Sequence, residues 1–496
     1  GISGGSDKTQ YYGSVSVMVD PGWYESSRVN RYTAMMKLDH HINKKLTASL
    51  KSTLSYRKQR APGTLKRDVS ALYGEVTRSF DINPYSYALN TSRTLDPNEY
   101  YTRDYAAFNI HNELKNNYMD YNVVDLLIQG ELQYKPIKEL AFSALGSMTY
   151  STSSIEHNIK DNSNTALAYR AMGEQHVLDN NSYLWDDPDN PYDLPITVLP
   201  DGGIYDRTDR KAMSYVFRLT GDYNKIFFDD HIVKFYAGME MTSAEKDRSW
   251  FRGWGRQYSM GDVSKYAWQA FRKGFDEGYD YFTYSTSRDR SVAFFGLLNY
   301  SYKGKYNVNF TARNEGSNMM GKSRKSRWLP TWNVGLAWNA HEEGWFDKQN
   351  ILSHATGRVS YSLTGTRGGV SNADIIFRSS EKWRPIGTDR EMYNYISSLA
   401  NIELTYEKKH ELNLGVDLGF LNNRINFTGD IYWRNNYDLV GPVFTSGIGG
   451  FINKRANTAT MKTNGVDLQL SVTNIKGKNF TWTTDYIFSH NKTKIT

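Results

Sequence analysis

Thr47-Ala48-Ser49-Leu50-Lys51-Ser52-Thr53-Leu54-Ser55-Tyr56-Arg57 is a run of alternating character. Side chains along an extended strand point to opposite sides, so residues of one parity share a face. Ala48, Leu50, Leu54 and Tyr56 make one face oily, and Thr47, Ser49, Lys51, Thr53, Ser55 and Arg57 make the other wet. The pattern returns at Leu126, Ile128, Gly130, Leu132 and Tyr134 against Gln129, Glu131 and Gln133. It returns again at Ile425, Phe427, Gly429, Ile431 and Trp433 against Asn426, Thr428, Asp430 and Arg434. A soluble sandwich shows this for a strand or two. A chain that shows it about fifteen times, with short and long connections in alternation, fits an all-β transmembrane antiparallel β-barrel with long extracellular loops.

Strands are predicted at about 9–19, 30–38, 46–57, 124–134, 140–150, 213–223, 231–242, 291–302, 306–314, 331–339, 355–364, 408–419, 425–436, 462–473 and 480–490. Each is about long enough to cross a bilayer at a tilt. The connections 39–45, 135–139, 224–230, 303–305, 420–424 and 474–479 are short, and 340–354 is longer, with room for a helical turn. The segments 58–123, 151–212, 243–290, 315–330, 365–407 and 437–461 are longer. This asymmetry places the short turns in the periplasm and the long loops outside the cell. Unstructured loops of such length count against a compact soluble domain. An odd number of strands leaves two edges whose unpaired backbone groups are costly in lipid. Residues 1–496 are therefore expected to be a partial barrel domain, with the closing strands elsewhere.

Composition agrees. Among 496 residues there are 37 Tyr, 22 Phe and 12 Trp, and Tyr and Trp favour membrane–water interfaces. No stretch approaches the roughly 20 apolar residues of a membrane helix. The net charge of +7 is spread along the chain, with no basic block of the kind that binds nucleic acid. There is no cysteine, hence no disulfide framework and no thiol chemistry.

Several motifs have bland readings that come first. Gly1-Ile2-Ser3-Gly4-Gly5 matches a nucleophile elbow, but that motif needs a strand before it and a helix after it. Asp186-Asp187-Pro188-Asp189-Asn190-Pro191-Tyr192-Asp193 is acidic enough for Ca²⁺ but lacks EF-hand spacing, so a solvated loop is preferred. His40-His41 are adjacent near a turn and are expected to point apart, so no metal site is assigned. Gly447-Ile448-Gly449-Gly450 leads to no helix, so it is a loop and not a dinucleotide fingerprint. No cofactor and no catalytic residue is assigned.

Candidate solute contacts are of two kinds. Arg218, Glu240, Arg313 and Arg358, with Glu411 and Asp417, fall on the polar strand faces. Paired charges lining a wet interior, or contacts to a plug, are the first reading, and a solute path is the sharper one. Tyr85, Tyr87, Trp185 and Trp383, with Trp250 and Trp254, fall in loops, where rings either stack on a ligand or pack the loop.

Further motifs carry a resemblance. Gly1-Ile2-Ser3-Gly4-Gly5-Ser6-Asp7-Lys8-Thr9-Gln10-Tyr11-Tyr12 resembles the first barrel strand of the SusC-type TonB-dependent outer-membrane transporters of Bacteroidetes. Tyr302-Lys303-Gly304-Lys305-Tyr306 with Ala312-Arg313-Asn314-Glu315-Gly316-Ser317 is similar to one of their hairpins. Trp328-Leu329-Pro330-Thr331-Trp332-Asn333-Val334-Gly335-Leu336-Ala337-Trp338 resembles the next strand, and Glu342-Glu343 with Trp345-Phe346 the turn after it. Leu404-Thr405-Tyr406-Glu407-Lys408, Asn422-Asn423-Arg424-Ile425, Asp430-Ile431-Tyr432 and Thr463-Asn464-Gly465-Val466-Asp467 are also similar. The likeness runs from end to end and is strongest after residue 290.

The resemblance implies part of a barrel of about 22 strands whose lumen is plugged by an N-terminal domain. It implies import of oligosaccharides or oligopeptides with energy from the TonB complex and a SusD-like surface lipoprotein as lid. Dimers of transporter–lipoprotein pairs are a further expectation. The plug, its TonB box and roughly the last seven strands are expected to lie outside these residues. A surface binding or adhesion protein without transport is the alternative. An outer-membrane protease or lipase ranks below both, because the strands offer no nucleophile–base arrangement.

Overall fold

The computed structural model describes residues 1–496 except 23–24, 26, 64–68, 71–74, 77–93, 95–100, 188, 266–267, 322, 347–350, 367–375, 384–389, 448–452 and 496. Its main feature is one continuous antiparallel wall. The wall strands are β1 Ile2–Gly5, β2 Thr9–Asp20, β3 Arg28–His41, β4 Leu46–Pro62, β5 Asn117–Ile137, β6 Leu140–Ile159, β7 Gly203–Phe227 and β8 His231–Gln257. They continue with β9 Phe282–Tyr302, β10 Tyr306–Ser317, β11 Trp328–Asn339, β12 Leu352–Thr366, β13 Glu407–Phe420, β14 Ile425–Phe444, β15 Asn453–Lys476 and β16 Thr481–Ile495. Each pairs with its neighbours in chain order, and β8 also pairs with the two-residue strand Val263–Ser264. Among the described residues, β1 and β16 each have a partner on one side only.

All fifteen predicted strands are present in the wall, one wall strand is added at the start, and the long connections carry short strands of their own. The glycine-rich start, expected to lead into a strand, is itself a strand, with Ile2–Gly5 paired to Gly13–Gln10. Many strands are also longer than predicted. The 213–223 prediction becomes Gly203–Phe227, and the 231–242 prediction becomes His231–Gln257. Apolar alternation marks only the height of wall that meets lipid. Above it the alternation fades, because the inward face there meets docked loops as well as water, yet the backbone ladder continues.

The outward row confirms the faces. Leu50, Leu54, Ile128, Leu132, Phe217, Leu219, Phe294, Leu336, Ile431 and Trp433 are all large, apolar and exposed. In a soluble protein such rows would be buried; here they form the lipid surface. Aromatic side chains gather at its two borders. Tyr302 stacks near Tyr306 at 6.5 Å beside the short turns, and Trp332 meets Tyr361 edge-on at 5.5 Å nearer the long loops.

The short turns are tight for local reasons. Lys303 and Gly304 both have positive φ, 53° and 69°, and the Lys305 amide donates to the Tyr302 carbonyl at 2.9 Å. Two left-handed residues give the twist that a hairpin requires. The longer connection after β11 carries a single helical turn, Ala340–Glu342, as expected.

At the other end, the long connections fold back onto the inward face. Ile159 and Ile204 of the wall pack with Ala166 and Leu199 of the loop. Asn117 donates to Glu113 Oε1 at 2.8 Å and pairs with His157 Nε2 at 2.7 Å, which ties the Ile110–Asn116 helix to β5 and β6. The bore is therefore lined by polar wall below and by docked loops above.

Candidate functional site

The inward charges form networks because the register makes them neighbours. Arg218 faces Glu240 across β7 and β8. Its Nε donates to Glu240 Oε2 at 2.7 Å, and its Nη2 reaches the same oxygen. Arg313 Nη2 donates to Glu240 Oε1 at 3.4 Å and to Glu315 Oε2 at 2.8 Å. Three of the predicted residues, Arg218, Glu240 and Arg313, thus share one network. Arg358 belongs to another: its Nε donates to Asp417 at 2.7 Å and its Nη2 to Asp430 at 3.3 Å. Glu411 pairs with Lys409 at 2.7 Å and with Arg434 at 3.0 Å. These are the paired bore charges of the first reading.

The aromatic predictions divide differently. Trp185 is 4% exposed and packs with Val198, Ala270 and the edge of Trp268, so it belongs to a loop core and offers no face to solute. Its neighbours in sequence carried no burial pattern that would have shown this. Trp383 ends a loop strand, Ile376–Trp383, paired with Arg390–Ser398, and its side chain lies outside the described residues. Tyr85 and Tyr87 also lie outside the described residues. Trp250 is buried and Trp254 half-buried.

The structure brings together a site of which the sequence reading had named only Trp254. A cavity of about 690 Å³ opens between the 160–202 loop, the upper end of β8, and the Trp268–Glu277 helix. Tyr169, Tyr183, Trp254, Phe271, Phe275 and Tyr279 are among its lining residues. Tyr169 lies 4.6 Å from Tyr183 and meets Trp254 edge-on at 5.4 Å. Burial pushes the Tyr169 phenol up to about 12, so it stays a neutral hydroxyl. The lining residues come from three distant segments, and no local motif joins them. The available signal was the helical spacing of Trp268, Phe271 and Phe275, with the aromatic run Tyr279–Tyr284 after it.

Charges in this cavity are largely spent on one another. Arg252 Nε and Nη2 donate to the two Asp206 oxygens, both at 2.7 Å. The guanidinium carbon lies 5.6 Å from the rings of both Trp250 and Trp254. Lys273 donates to the carbonyls of Leu184 at 2.8 Å and Ser182 at 3.0 Å, and to Glu277 at 2.5 Å. What remains for a ligand is mainly ring faces and phenol hydroxyls. His40 and His41 diverge as expected: His40 pairs with Thr9 at 2.8 Å and His41 with Thr47 at 2.9 Å.

The family-like motifs acquire physical reasons. Glu343 accepts from Tyr306 Oη at 2.6 Å, Lys305 Nζ at 3.0 Å and Trp338 Nε1 at 3.2 Å. The turn after β11 is thereby clamped to the Tyr302–Tyr306 hairpin. These donors, the Tyr306 hydroxyl first, hold the Glu343 carboxyl down at about 2. Its folded value lies below its ordinary value, so the stabilisation is complete above about pH 4.5 and disappears as pH falls towards 2. Acid titration of the folded barrel is expected to lose this increment in that window. Glu343→Gln should remove that part of the pH dependence; an unchanged acid profile would refute the clamp. Gly465, from another motif, lies beneath Tyr432: a Cβ there would sit 2.3 Å from that ring. Tyr432 itself is 4% exposed, with Arg434 stacked 4.0 Å above it.

No protein-family model matches the chain. Curated relatives do. TonB-dependent receptor P39 of Formosa agariphila is 23% identical over 508 aligned residues, covering 100% of this chain and 42% of that protein. TonB-dependent receptor SusC of Bacteroides thetaiotaomicron is 29% identical over 245 residues, covering 45% of this chain and 24% of SusC. The chain thus spans less than half the length of the curated relatives it matches. Among solved structures, the RagAB peptide importer in its "open-open" state superposes with a TM-score of 0.73 at 20% identity, covering 100% of this chain and 49% of that one. The outer-membrane transporter YddB of Escherichia coli superposes at 0.52 with 9% identity. At such identities the structures speak for the fold alone. Their names describe receptors and transporters, not enzymes. An oily outer face, a charged inner face, the clamped turn and a receptor relative that aligns end to end together mark the chain as a stretch of outer-membrane β-barrel similar to the SusC-type TonB-dependent transporters.

Proposed function

We propose that this barrel serves TonB-dependent import of oligosaccharides or oligopeptides across the outer membrane, with a SusD-like lipoprotein as its lid. The observation that carries the reading is a wet, charge-lined bore that leads up to an aromatic cavity among the long loops. Solute would first lodge against those rings. Pulling through TonB on a plug, supplied with the closing strands by the rest of the protein, would then open the bore. The paired charges suit a path that is hydrated without holding any one solute tightly. The likeness to SusC and to the RagAB importer supports this reading.

Intact cells test it. Radiolabelled oligomer should accumulate in cells that carry the full-length protein, and accumulation should fall to the level of a transporter deletion when TonB is removed or the proton gradient is collapsed. Surface binding that persists while accumulation never depended on TonB would replace import with adhesion.

A further inference from the structure

Inward charges at several levels of this wall are paired: Arg218 with Glu240, Arg358 with Asp417, Arg434 with Glu411, and Arg252 with Asp206. One rung differs. Along the register, Arg31 faces Arg57, Arg57 faces Val123, and Val123 faces Ser153. Ser153 then faces Arg210, Arg210 faces Arg248, and Arg248 faces Ser285. All have inward parity, so four arginines stand on one rung in two directly opposed pairs. All four are exposed. Among the described residues, none of them forms an ion pair with a carboxylate. Like charges placed directly opposite destabilise a sheet. A wall that keeps two such pairs at one level is charged for something other than its own stability.

The surroundings suit an anion. The next rung towards the membrane brings Lys246 opposite Ser287. A cavity of about 390 Å³ is lined by Ser151, Ser153, Arg210, Lys246, Arg248 and Ser287, among others. The nearest inward carboxylates on the membrane side, Asp125 and Asp289, sit one and two rungs below, and Asp125 already accepts from Ser151 at 2.5 Å. On the outside of β3 and β4 the stacked pair Tyr32 and Tyr56 lies one step below the arginines. The rung is therefore at or above the outer border of the lipid belt, inside the bore, beneath the aromatic cavity.

The two pairs are three strands apart, about 14 Å at the usual interstrand spacing. A single small anion would satisfy one pair only. An oligomer with repeated anionic groups satisfies both. The cavity above offers ring faces and hydroxyls, with Arg252, Lys273 and Glu277 paired and Asp280 as its remaining carboxylate, which suits uncharged sugar faces more than a second anionic group. We propose that this rung binds an acidic oligosaccharide, one that carries carboxylate or sulfate groups along its length. The proposal rests on the import reading and narrows it to a substrate class.

Calorimetry on the full-length protein, purified with its native partners, tests the idea. The probes are hexagalacturonate, a sulfated oligosaccharide of equal length, neutral cellohexaose and hexaglutamate. At least one of the two acidic sugars should bind, more weakly as salt rises, and the one that binds names the anion. Arg210→Gln with Arg248→Gln, and Arg31→Gln with Arg57→Gln, should each weaken that binding by about tenfold or more. Both double variants should still fold, since each removes a like-charge contact; an unchanged melting profile establishes that. Tighter binding of cellohexaose or hexaglutamate, no binding of either acidic sugar, or double variants that fold and bind as before would each overturn the proposal. The uptake assay judges import separately, so failure of this rung and failure of import are told apart.

Discussion

Leu50→Arg is expected to keep the barrel from assembling in the outer membrane, while Lys51→Arg next to it leaves assembly intact. Leu50 stands in register with Leu38 and Gly130 on the outward face. It is 37% exposed, and nothing but lipid can cover it. An arginine on the lipid face near mid-depth costs about 2–4 kcal/mol. That is a large part of the roughly 5–15 kcal/mol by which a typical protein is stable. Lys51 points into the bore, opposite Lys37 and Gln129, where a longer cation finds water. The heat-modifiable gel shift of outer-membrane fractions measures the difference. Equal amounts of folded barrel for the two variants would reverse the assignment of inner and outer faces, and with it the whole reading of the bore.

That assignment was legible in the sequence because lipid imposes it residue by residue. Each wall strand must show the bilayer an oily row, so Phe217, Leu219 and Tyr223 alternate with Arg218, Thr220 and Asp222. No such rule acts above the membrane. Residues 203–212 and 243–257 extend β7 and β8 well beyond the oily rows, yet their sequence alternates nothing that a periodicity can detect. The loop site was hidden for a related reason. Tyr169, Trp254 and Phe271 meet only after the 160–202 loop docks on the wall. That docking depends on long-range packing of Ile159, Ala166, Leu199 and Ile204. Trp185 illustrates the limit: an isolated loop tryptophan is equally compatible with a solute platform and with a buried wedge, and only its tertiary neighbours decide for the wedge. The arginine rung needed the register itself. Arg31, Arg57, Arg210 and Arg248 are scattered over more than two hundred positions, and only the strand pairing sets them side by side.

Asp206→Ala is the second large effect. Asp206 is 4% exposed and accepts both donors of the Arg252 fork across the β7–β8 pair. Its removal leaves a guanidinium beside two indoles without a counter-charge. Breaking a buried pair from one side costs about 3–5 kcal/mol, and the partial exposure of Arg252 places this case near the lower figure. The loss should be local. Trp254 and Tyr169 pack on the cluster that holds the 160–202 loop down, so that loop should exchange amide hydrogens faster and be cut sooner by protease. The lower wall, from Leu140 and Tyr223 upwards through the lipid belt, should keep its protection. Arg207→Ala is the control: Arg207 pairs with Asp209 on the outer face, with both side chains nearly half exposed, and such pairs contribute about 0–1 kcal/mol. Replacing both partners, Asp206→Leu with Arg252→Met, should restore much of the protection, since an apolar pair carries no stranded charge. If Asp206→Ala loosens the loop no more than Arg207→Ala does, the buried pair is not what fixes the aromatic cavity. Trp254 would then owe its place to the hydrophobic cluster alone.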